Sequence, residues 1–292
     1  MNFATLRDPL IYYKEYLKIK GHTQEGIRTY SDRVTYFLRK AAKNIRDITT
    51  KDIENFIKQD LKRGIKIKTI KSNFWALNSF FSWLEKKEKA ILINPLKNIE
   101  LPRDEKRIIQ DVITEKDMER LIEATETRRD RAILEVLYSS GIRKGELYKL
   151  DLNDVDLKSG YLFVRQGKGN KDRVVPLGKV AIKALKIYLE ERKRKSGHSN
   201  ALFLSNYPFY AERMNFRITG EIIKRYADKI GLKVSPHTIR RSFATHMIRA
   251  GCDIMHLKEM MGHSKLDTLK VYIKLSCIDI KGEHKKTHPR GR

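Results

Sequence analysis

Residues 235 to 241 read SPHTIRR, and they predict the start of a helix. Ser235 is a preferred N-cap, and Pro236 suits the first helical position because its missing N–H would have no partner there. The predicted helix spans residues 236 to 250 and carries His237 and Arg240 on one face. A helix N-terminus attracts anions through its free N–H groups and its dipole, so this segment favours phosphate. Taken alone, the same pattern is more typical of a surface helix with solvated arginines.

The composition indicates a polyanionic partner. The chain of 292 residues holds 62 Lys+Arg against 36 Asp+Glu, a formal net charge of +26. Nucleic acid is the leading candidate for the partner. An anionic membrane surface fits less well, because the basic residues are not confined to one amphipathic segment.

Several features of the sequence indicate a cytoplasmic protein without a membrane partner. No stretch approaches the roughly 20 apolar residues that span a bilayer. The N-terminal residues MNFATLRDPL lack the basic and then apolar pattern of a signal peptide. The two cysteines, Cys252 and Cys277, imply no disulfide framework and fit a reducing compartment.

The first hundred residues predict a bundle of four amphipathic helices. Thr23 and Thr50 are the predicted N-caps of the second and third helices. We expect the aromatic residues of the apolar stripes to form a core instead of a base-stacking platform. The most regular stripe belongs to the fourth helix and consists of Ile70, Phe74, Leu77, Phe81 and Leu84.

A linker is predicted where this periodicity ends. INPLKNIELPRDEKR, from Ile93 to Arg107, combines two prolines with several charges. We therefore expect two domains, residues 1–105 and 106–292, with a linker at about 93–110. Thr114 and Asp117 predict a capping box that opens the next helix.

The second domain is predicted to combine helices with a small sheet. YLFVRQGKGNKDRVVPL, from Tyr161 to Leu177, has two apolar runs around a Gly/Asn/Lys turn and predicts a β-hairpin. The predicted fold class is therefore mainly α with a small antiparallel β-sheet, as an N-terminal helical bundle followed by a C-terminal α+β domain.

Two segments of the second domain supply basic candidates. In SSGIRKGEL, Arg143 follows a helix stop and can present a bidentate fork to a phosphate, while Glu146 can hold a neighbouring group. An arginine paired with its own i+3 glutamate is the more common structure for that pattern. In GKGNK, Lys168 can reach a substrate from the hairpin tip, although most lysines of this kind are simply exposed.

A further segment, MMGHSKLDTLKVY, places His263 directly after Gly262 and Tyr272 nine residues later. A single tyrosine is most often a packed or surface aromatic. Cys252, His256 and His263 lie close in sequence, but no C-x-x-C or H-x-x-x-H pair organises them, so we expect no zinc site. The absence of a G-x-S-x-G sequence excludes the usual serine-hydrolase elbow.

The order of these segments resembles the tyrosine recombinase (phage integrase) family, and its Xer-type members in particular. GIRKGEL, a hairpin lysine, HTIRRSFATH, and GH followed nine residues later by tyrosine occur in the family's order. The resemblance covers nearly the whole chain and includes NSFFSWLEKK, NPLKNIELPR, GKGNKDRVVPLG and the HPR near the C-terminus. Two departures are Arg241, where many relatives have histidine or another residue, and DTLKVY in place of a threonine-rich run.

The resemblance implies a DNA cleavage site. Arg143 and Arg240 match the arginines that clamp the scissile phosphate and stabilise its more charged transition state. Tyr272 matches the nucleophile, which attacks phosphorus and forms a 3′-phosphotyrosyl intermediate. The C-terminal domain is thus expected to be the catalytic domain and the helical bundle to be a core DNA-binding domain.

Three further matches concern proton transfer and hydrogen bonding. Lys168 would protonate the departing 5′ oxygen, His237 would assist proton transfer from the tyrosine, and His263 would hydrogen-bond the phosphate. The resemblance also implies strand exchange through a Holliday junction by a homotetramer on double-stranded DNA, with a second recombinase as an optional partner. It implies no cofactor, neither metal nor ATP.

Other functions remain open at the level of sequence. A non-catalytic DNA-binding protein on the same fold is opposed by the six catalytic matches, and a type IB topoisomerase by the Xer-like first domain and tail. For the biological role we expect chromosome-dimer resolution, with integration or transposition of a mobile element as the alternative. The sequence shows no added N-terminal arm-binding domain, which favours the former. The resemblance implies that the basic tail, residues 278 to 292, docks on a neighbouring subunit.

Overall fold

A computed structural model of the chain describes residues 9–102, 112–165, 172–194, 199–206 and 212–262. The chain divides into two compact units, Met1–Arg107 and Ile108–Arg292. Within the described ranges, no helix has the length and apolar character that crossing a bilayer requires.

The first unit is a bundle of four α-helices. Its helices are α1 (Pro9–Ile19), α2 (Gln24–Ala41), α3 (Thr50–Lys62) and α4 (Ile67–Lys86), with a 3-10 turn at Ile45–Asp47. All five members of the predicted α4 stripe are buried. The rings of Phe80 and Phe81 lie edge to face at a centroid distance of 5.4 Å. The prediction that these aromatic residues form a core is confirmed.

Threonines occupy the N-cap positions of α2 and α3. The Oγ1 atom of Thr23 accepts a hydrogen bond from the Gly26 N–H at 3.2 Å, as predicted. The predicted cap of α3 is wrong by one residue, because Thr49 occupies that position and Thr50 is the first helical residue. The reason is Asp52, whose carboxylate accepts hydrogen bonds from the Thr49 N–H at 2.9 Å and the Thr49 hydroxyl at 2.8 Å.

The first residues of the predicted linker pack against α4. Asn94 and Leu96 are both buried. The Asn94 side-chain amide donates hydrogen bonds to the side-chain oxygen of Asn78 at 2.8 Å and to the Ser82 hydroxyl at 2.9 Å. These side-chain bonds attach the segment to the first unit although it has no helical periodicity.

The second unit combines helices with a three-stranded sheet. Its helices are α5 (Glu115–Glu123), α6 (Arg128–Ser140), α7 (Lys144–Lys149), α8 (Lys179–Arg192), α9 (Ile218–Lys229), α10 (Pro236–Arg249) and α11 (Ile254–Met261). The sheet is antiparallel in the order β1 (Val155–Asp156), β2 (Tyr161–Val164) and β3 (Arg173–Pro176). The predicted hairpin is confirmed by the β2–β3 pairing, in which Leu162 faces Val175.

Helix α6 lies at the centre of the second unit. It packs against α5, α8, α9 and α10, and its residues from Ala132 to Leu137 are all buried. The C-caps of α6 and α11 are Gly141 and Gly262, both in the left-handed conformation with φ of 61°. Helix α10 packs against both α6 and α11.

Candidate active site

The N-terminus of α10 forms as its sequence predicts. The Ser235 hydroxyl accepts a hydrogen bond from the Thr238 N–H at 3.1 Å, and Pro236 occupies the first turn. This cap fixes the start of the helix, so His237 lies in its first turn and Arg240 one turn later. The two side chains have different surroundings, since His237 is exposed whereas Arg240 is only 5% exposed.

Arg240 is held between the ends of two helices. Its Nη1 atom donates to the Gly141 carbonyl at 2.5 Å, and its Nη2 atom donates to the Met261 carbonyl at 2.6 Å. These carbonyls lie at the C-terminal ends of α6 and α11, where helices carry partial negative charge and unpaired acceptors. The contacts stabilise a buried positive charge that is costly when it is not compensated.

Arg143 is the N-cap of α7 and is held by the glutamate three residues later. Glu146 accepts a hydrogen bond from the Arg143 N–H at 2.7 Å and another from the Arg143 Nη1 atom at 2.8 Å. The i+3 ion pair considered from the sequence is therefore present. Arg143 has a second partner, because its Nη2 atom donates to the Gly262 carbonyl at 3.3 Å.

The structure brings the two candidate arginines together at the end of α11. Arg240 contacts the carbonyl of Met261, and Arg143 contacts the carbonyl of the next residue, Gly262. Two guanidinium groups on adjacent carbonyls concentrate positive charge at one place. Such an arrangement favours an anion with several oxygen atoms, such as a phosphodiester.

His237 lies within the electrostatic influence of these arginines. Although His237 is exposed overall, partial desolvation of its ring lowers its pKa. The nearby positive charges of Arg241, Arg240, Arg143 and Lys144 lower the pKa further. The lowered pKa favours the neutral imidazole, which can accept a proton. The ring is therefore suited to act as a base beside a bound anion.

Glu146 has a further partner that the sequence does not indicate. Arg173, the first residue of β3, donates from Nη1 to Oε1 of Glu146 at 3.0 Å and from Nη2 to Oε2 at 2.8 Å. Its Nε atom donates to the Met260 carbonyl at 2.8 Å. The sequence placed Arg173 within the predicted hairpin segment, but its partner 27 residues away was not evident.

Three of the six candidate residues lie outside the described part of the chain. Lys168 belongs to the segment between β2 and β3, and His263 and Tyr272 follow the last described residue, Gly262. Their assignments stay predictions. Among the residues that the structure describes, no three His, Cys, Asp or Glu side chains come together in a way that could hold a metal ion.

Comparison with known proteins identifies the family. The model of the phage integrase family matches residues 111–277, and that of the phage integrase N-terminal SAM-like domain matches residues 12–91. The chain belongs to the phage integrase family. It is 37% identical over 273 residues to the tyrosine recombinase XerC of Pelotomaculum thermopropionicum, with 88% of each chain covered. It is also 32% identical to XerA of Pyrococcus horikoshii, covering 92% of this chain and 90% of that protein.

Solved structures agree with this membership. The crystal structure of XerA recombinase is 29% identical, with a TM-score of 0.55 over 96% of this chain and 98% of that one. The XerH recombinase bound to a palindromic difH substrate shares the fold, with a TM-score of 0.73 and 23% identity over 89% of this chain and 79% of that one. The chain is thus a Xer-like, site-specific tyrosine recombinase, as its ordered motifs indicated.

Proposed function

We propose that the protein cleaves and rejoins double-stranded DNA at a specific site through a 3′-phosphotyrosyl intermediate. This proposal rests on one observation. Arg143 and Arg240 donate hydrogen bonds to the carbonyls of two consecutive residues at the end of α11. The two guanidinium groups would bind the non-bridging oxygens of the scissile phosphate. They would stabilise the additional negative charge of the transition state without a metal ion or ATP.

The covalent step needs a nucleophile and two proton transfers. The Tyr272 hydroxyl would attack phosphorus while His237 accepts its proton, and the lowered pKa of His237 supports this role. The bond from phosphorus to the 5′ oxygen would break, and Lys168 would give that oxygen a proton. His263 would hydrogen-bond the phosphate. Attack by a 5′ hydroxyl of the partner duplex would reverse these steps and release the tyrosine.

The exchange of partners requires several copies of the chain on DNA. We infer a homotetramer in which the N-terminal domain, residues 1–105, and the catalytic domain of each subunit both bind DNA. Two strands are exchanged at a time through a Holliday junction. The net charge of +26 supports a DNA partner. For the biological role we propose resolution of chromosome dimers in the cytoplasm, in keeping with the Xer-type resemblance of the sequence.

The deciding experiment is covalent trapping on DNA. A duplex is first selected by the protein from a randomised library and is then nicked next to the cleavage position. The short 5′-hydroxyl fragment diffuses away after cleavage and leaves the protein attached to DNA. We expect a protein–DNA adduct on a denaturing gel for the wild-type chain and none for Tyr272→Phe, because phenylalanine has no nucleophilic oxygen.

Tyr272→Phe also serves as its own binding control. The substitution keeps the aromatic ring, so the affinity for the intact duplex should change little. An adduct that persists in Tyr272→Phe contradicts the assignment of the nucleophile. A wild-type chain that binds the duplex and forms no adduct indicates the non-catalytic DNA-binding protein instead.

A further inference from the structure

Arg173 is a largely buried arginine with fixed partners near the candidate active site. Its side chain is 10% exposed, and all three nitrogens of its guanidinium group donate hydrogen bonds. Two of the bonds form a parallel fork on the Glu146 carboxylate, and the third reaches the Met260 carbonyl. This bidentate geometry is specific to arginine, because lysine has a single nitrogen.

The carboxylate of Glu146 is shared between Arg173 and Arg143. Each of its oxygen atoms accepts one hydrogen bond from each arginine, with distances between 2.7 and 3.0 Å. Burial by itself would raise the pKa of Glu146, but the hydrogen bonds and charges of Arg173 and Arg143 outweigh burial and lower the pKa to about 2. Glu146 is therefore a carboxylate at neutral pH.

Glu146, Arg143 and Arg173 form a charged cluster, and the balance of its charges decides what Arg143 can bind. Glu146 and Arg143 alone would form a neutral ion pair with little attraction for a phosphate. With Arg173 included, one negative charge faces two positive charges, so the cluster retains a net positive charge. Arg173 lies against Glu146 with little exposure, whereas the side chain of Arg143 is 23% exposed. The extra positive charge is thus available on Arg143, which an anion can reach.

Arg173 also contacts the end of α11. The carbonyls of three consecutive residues, Met260, Met261 and Gly262, accept hydrogen bonds from Arg173, Arg240 and Arg143 respectively. A Cβ atom at Gly262 would lie 3.1 Å from the guanidinium of Arg173, closer than ordinary van der Waals contact. Arg173 therefore helps to fix the carbonyls that orient both candidate phosphate-binding arginines.

We propose that Arg173 is a positioning residue for phosphate binding, which neutralises Glu146 so that Arg143 keeps its charge for the scissile phosphate. The inference rests on the proposed function. Removal of the charge at position 173 leaves Arg143 to compensate Glu146, and the transition state then loses part of its electrostatic stabilisation.

The test compares two DNA substrates that differ in charge at the scissile phosphate. One is the nicked duplex described above, and the other carries a methylphosphonate at the scissile position, which removes one negative oxygen. Arg173→Gln should slow strand cleavage of the phosphate DNA by about ten- to a hundredfold, the range known for residues that orient metal ligands and taken here by analogy. The loss of cleavage rate should be several times smaller on methylphosphonate DNA, because its transition state carries less negative charge to be stabilised. Arg173→Lys keeps the charge and should lose less than Arg173→Gln on phosphate DNA.

Two further variants separate charge from folding. Arg213→Gln is the matched control, because Arg213 also binds one carboxylate, that of Asp151, and the carbonyls of Tyr148 and Leu150. Its defect, if any, should be equal on both substrates. The double variant Glu146→Gln, Arg173→Gln removes one charge of each sign and restores the net charge, so it should cleave phosphate DNA faster than Arg173→Gln alone.

The role of Arg173 and the proposed function can fail separately in these experiments. If Arg173→Gln cleaves phosphate DNA at the wild-type rate, or is slowed equally on both substrates, the inference is overturned while the proposed function stands. The same holds if the double variant is no faster than Arg173→Gln. Absence of cleavage by the wild-type chain contradicts the proposed function and with it the inference.

Discussion

Lys168 is the candidate general acid, and a DNA substrate with a better leaving group would not need its proton. If Lys168 protonates the departing 5′ oxygen, Lys168→Ala should slow cleavage of ordinary DNA by about a hundredfold or more, the typical contribution of a general acid. DNA with a sulfur atom in the 5′-bridging position releases a thiolate, which leaves without a proton. We therefore expect Lys168→Ala to cleave this DNA at nearly the wild-type rate. Equal defects on the two substrates assign Lys168 to phosphate binding instead.

For single residues, the sequence identified the candidate phosphate-binding arginines but not all of their hydrogen-bond partners. Arg143 and Arg240 could be identified because their motifs occur in the family's order, and the structure brings them to neighbouring carbonyls. Arg173 could not be identified, because any of 62 basic residues could have paired with Glu146. The partner is decided by the β2–β3 hairpin, which brings the first residue of β3 against α7 and the end of α11. Long-range pairing of this kind has no local sequence signal.

At the scale of elements, the end of α6 requires glycine for two reasons. Gly141 has a φ of 61°, and a Cβ atom there would overlap the ring of Phe243 on α10. Gly251 is a matched control, since its φ is 86° and a Cβ atom there would have no neighbour within 4 Å. Gly251→Ala should lose about 1–2 kcal/mol of stability from the left-handed backbone alone. Gly141→Ala should lose roughly 1–3 kcal/mol more from the steric overlap.

Thermal unfolding of the two glycine variants measures this difference, and covalent trapping adds a functional readout. Gly141→Ala should also reduce adduct formation, because the Gly141 carbonyl is a partner of Arg240. Gly251→Ala should retain adduct formation at a temperature where it is folded. Equal losses of stability in the two variants would mean that the contact with Phe243 does not constrain this position.

Helices and strands were predictable where hydrophobic periodicity is strong. The α4 stripe, the two strands of the hairpin and the Ser235 cap all follow their sequence patterns. The start of α3 was displaced by one residue because two threonines are adjacent and only the reach of Asp52 selects Thr49. The packing of Asn94 was not predictable, because its partners Asn78 and Ser82 lie on α4 and its own segment has no periodicity. Side-chain bonds between distant segments, and not propensity, decide these details.

For the whole molecule, the charge is distributed over the chain and is not concentrated in the basic tail. Residues 278 to 292 contain five Lys or Arg and two Asp or Glu, a net of three positive charges out of 26. Affinity for DNA depends on the number of phosphates neutralised, and the logarithm of the binding constant falls with the logarithm of salt concentration with a slope of about −0.9 per phosphate contact. Most of this slope should therefore come from residues before the tail.

Deletion of residues 278 to 292 should accordingly separate DNA binding from strand exchange. We expect the truncated chain to bind a single half-site with nearly the wild-type salt slope and to form the Tyr272 adduct. It should assemble fewer tetramers on paired sites and yield little recombinant product, because the tail is proposed to dock on a neighbouring subunit. The measurements are a salt titration of half-site binding, sedimentation of the complexes on paired sites, and a product assay. A salt slope reduced by about three units would assign the tail to DNA binding, and full recombination by the truncated chain would exclude its role in assembly.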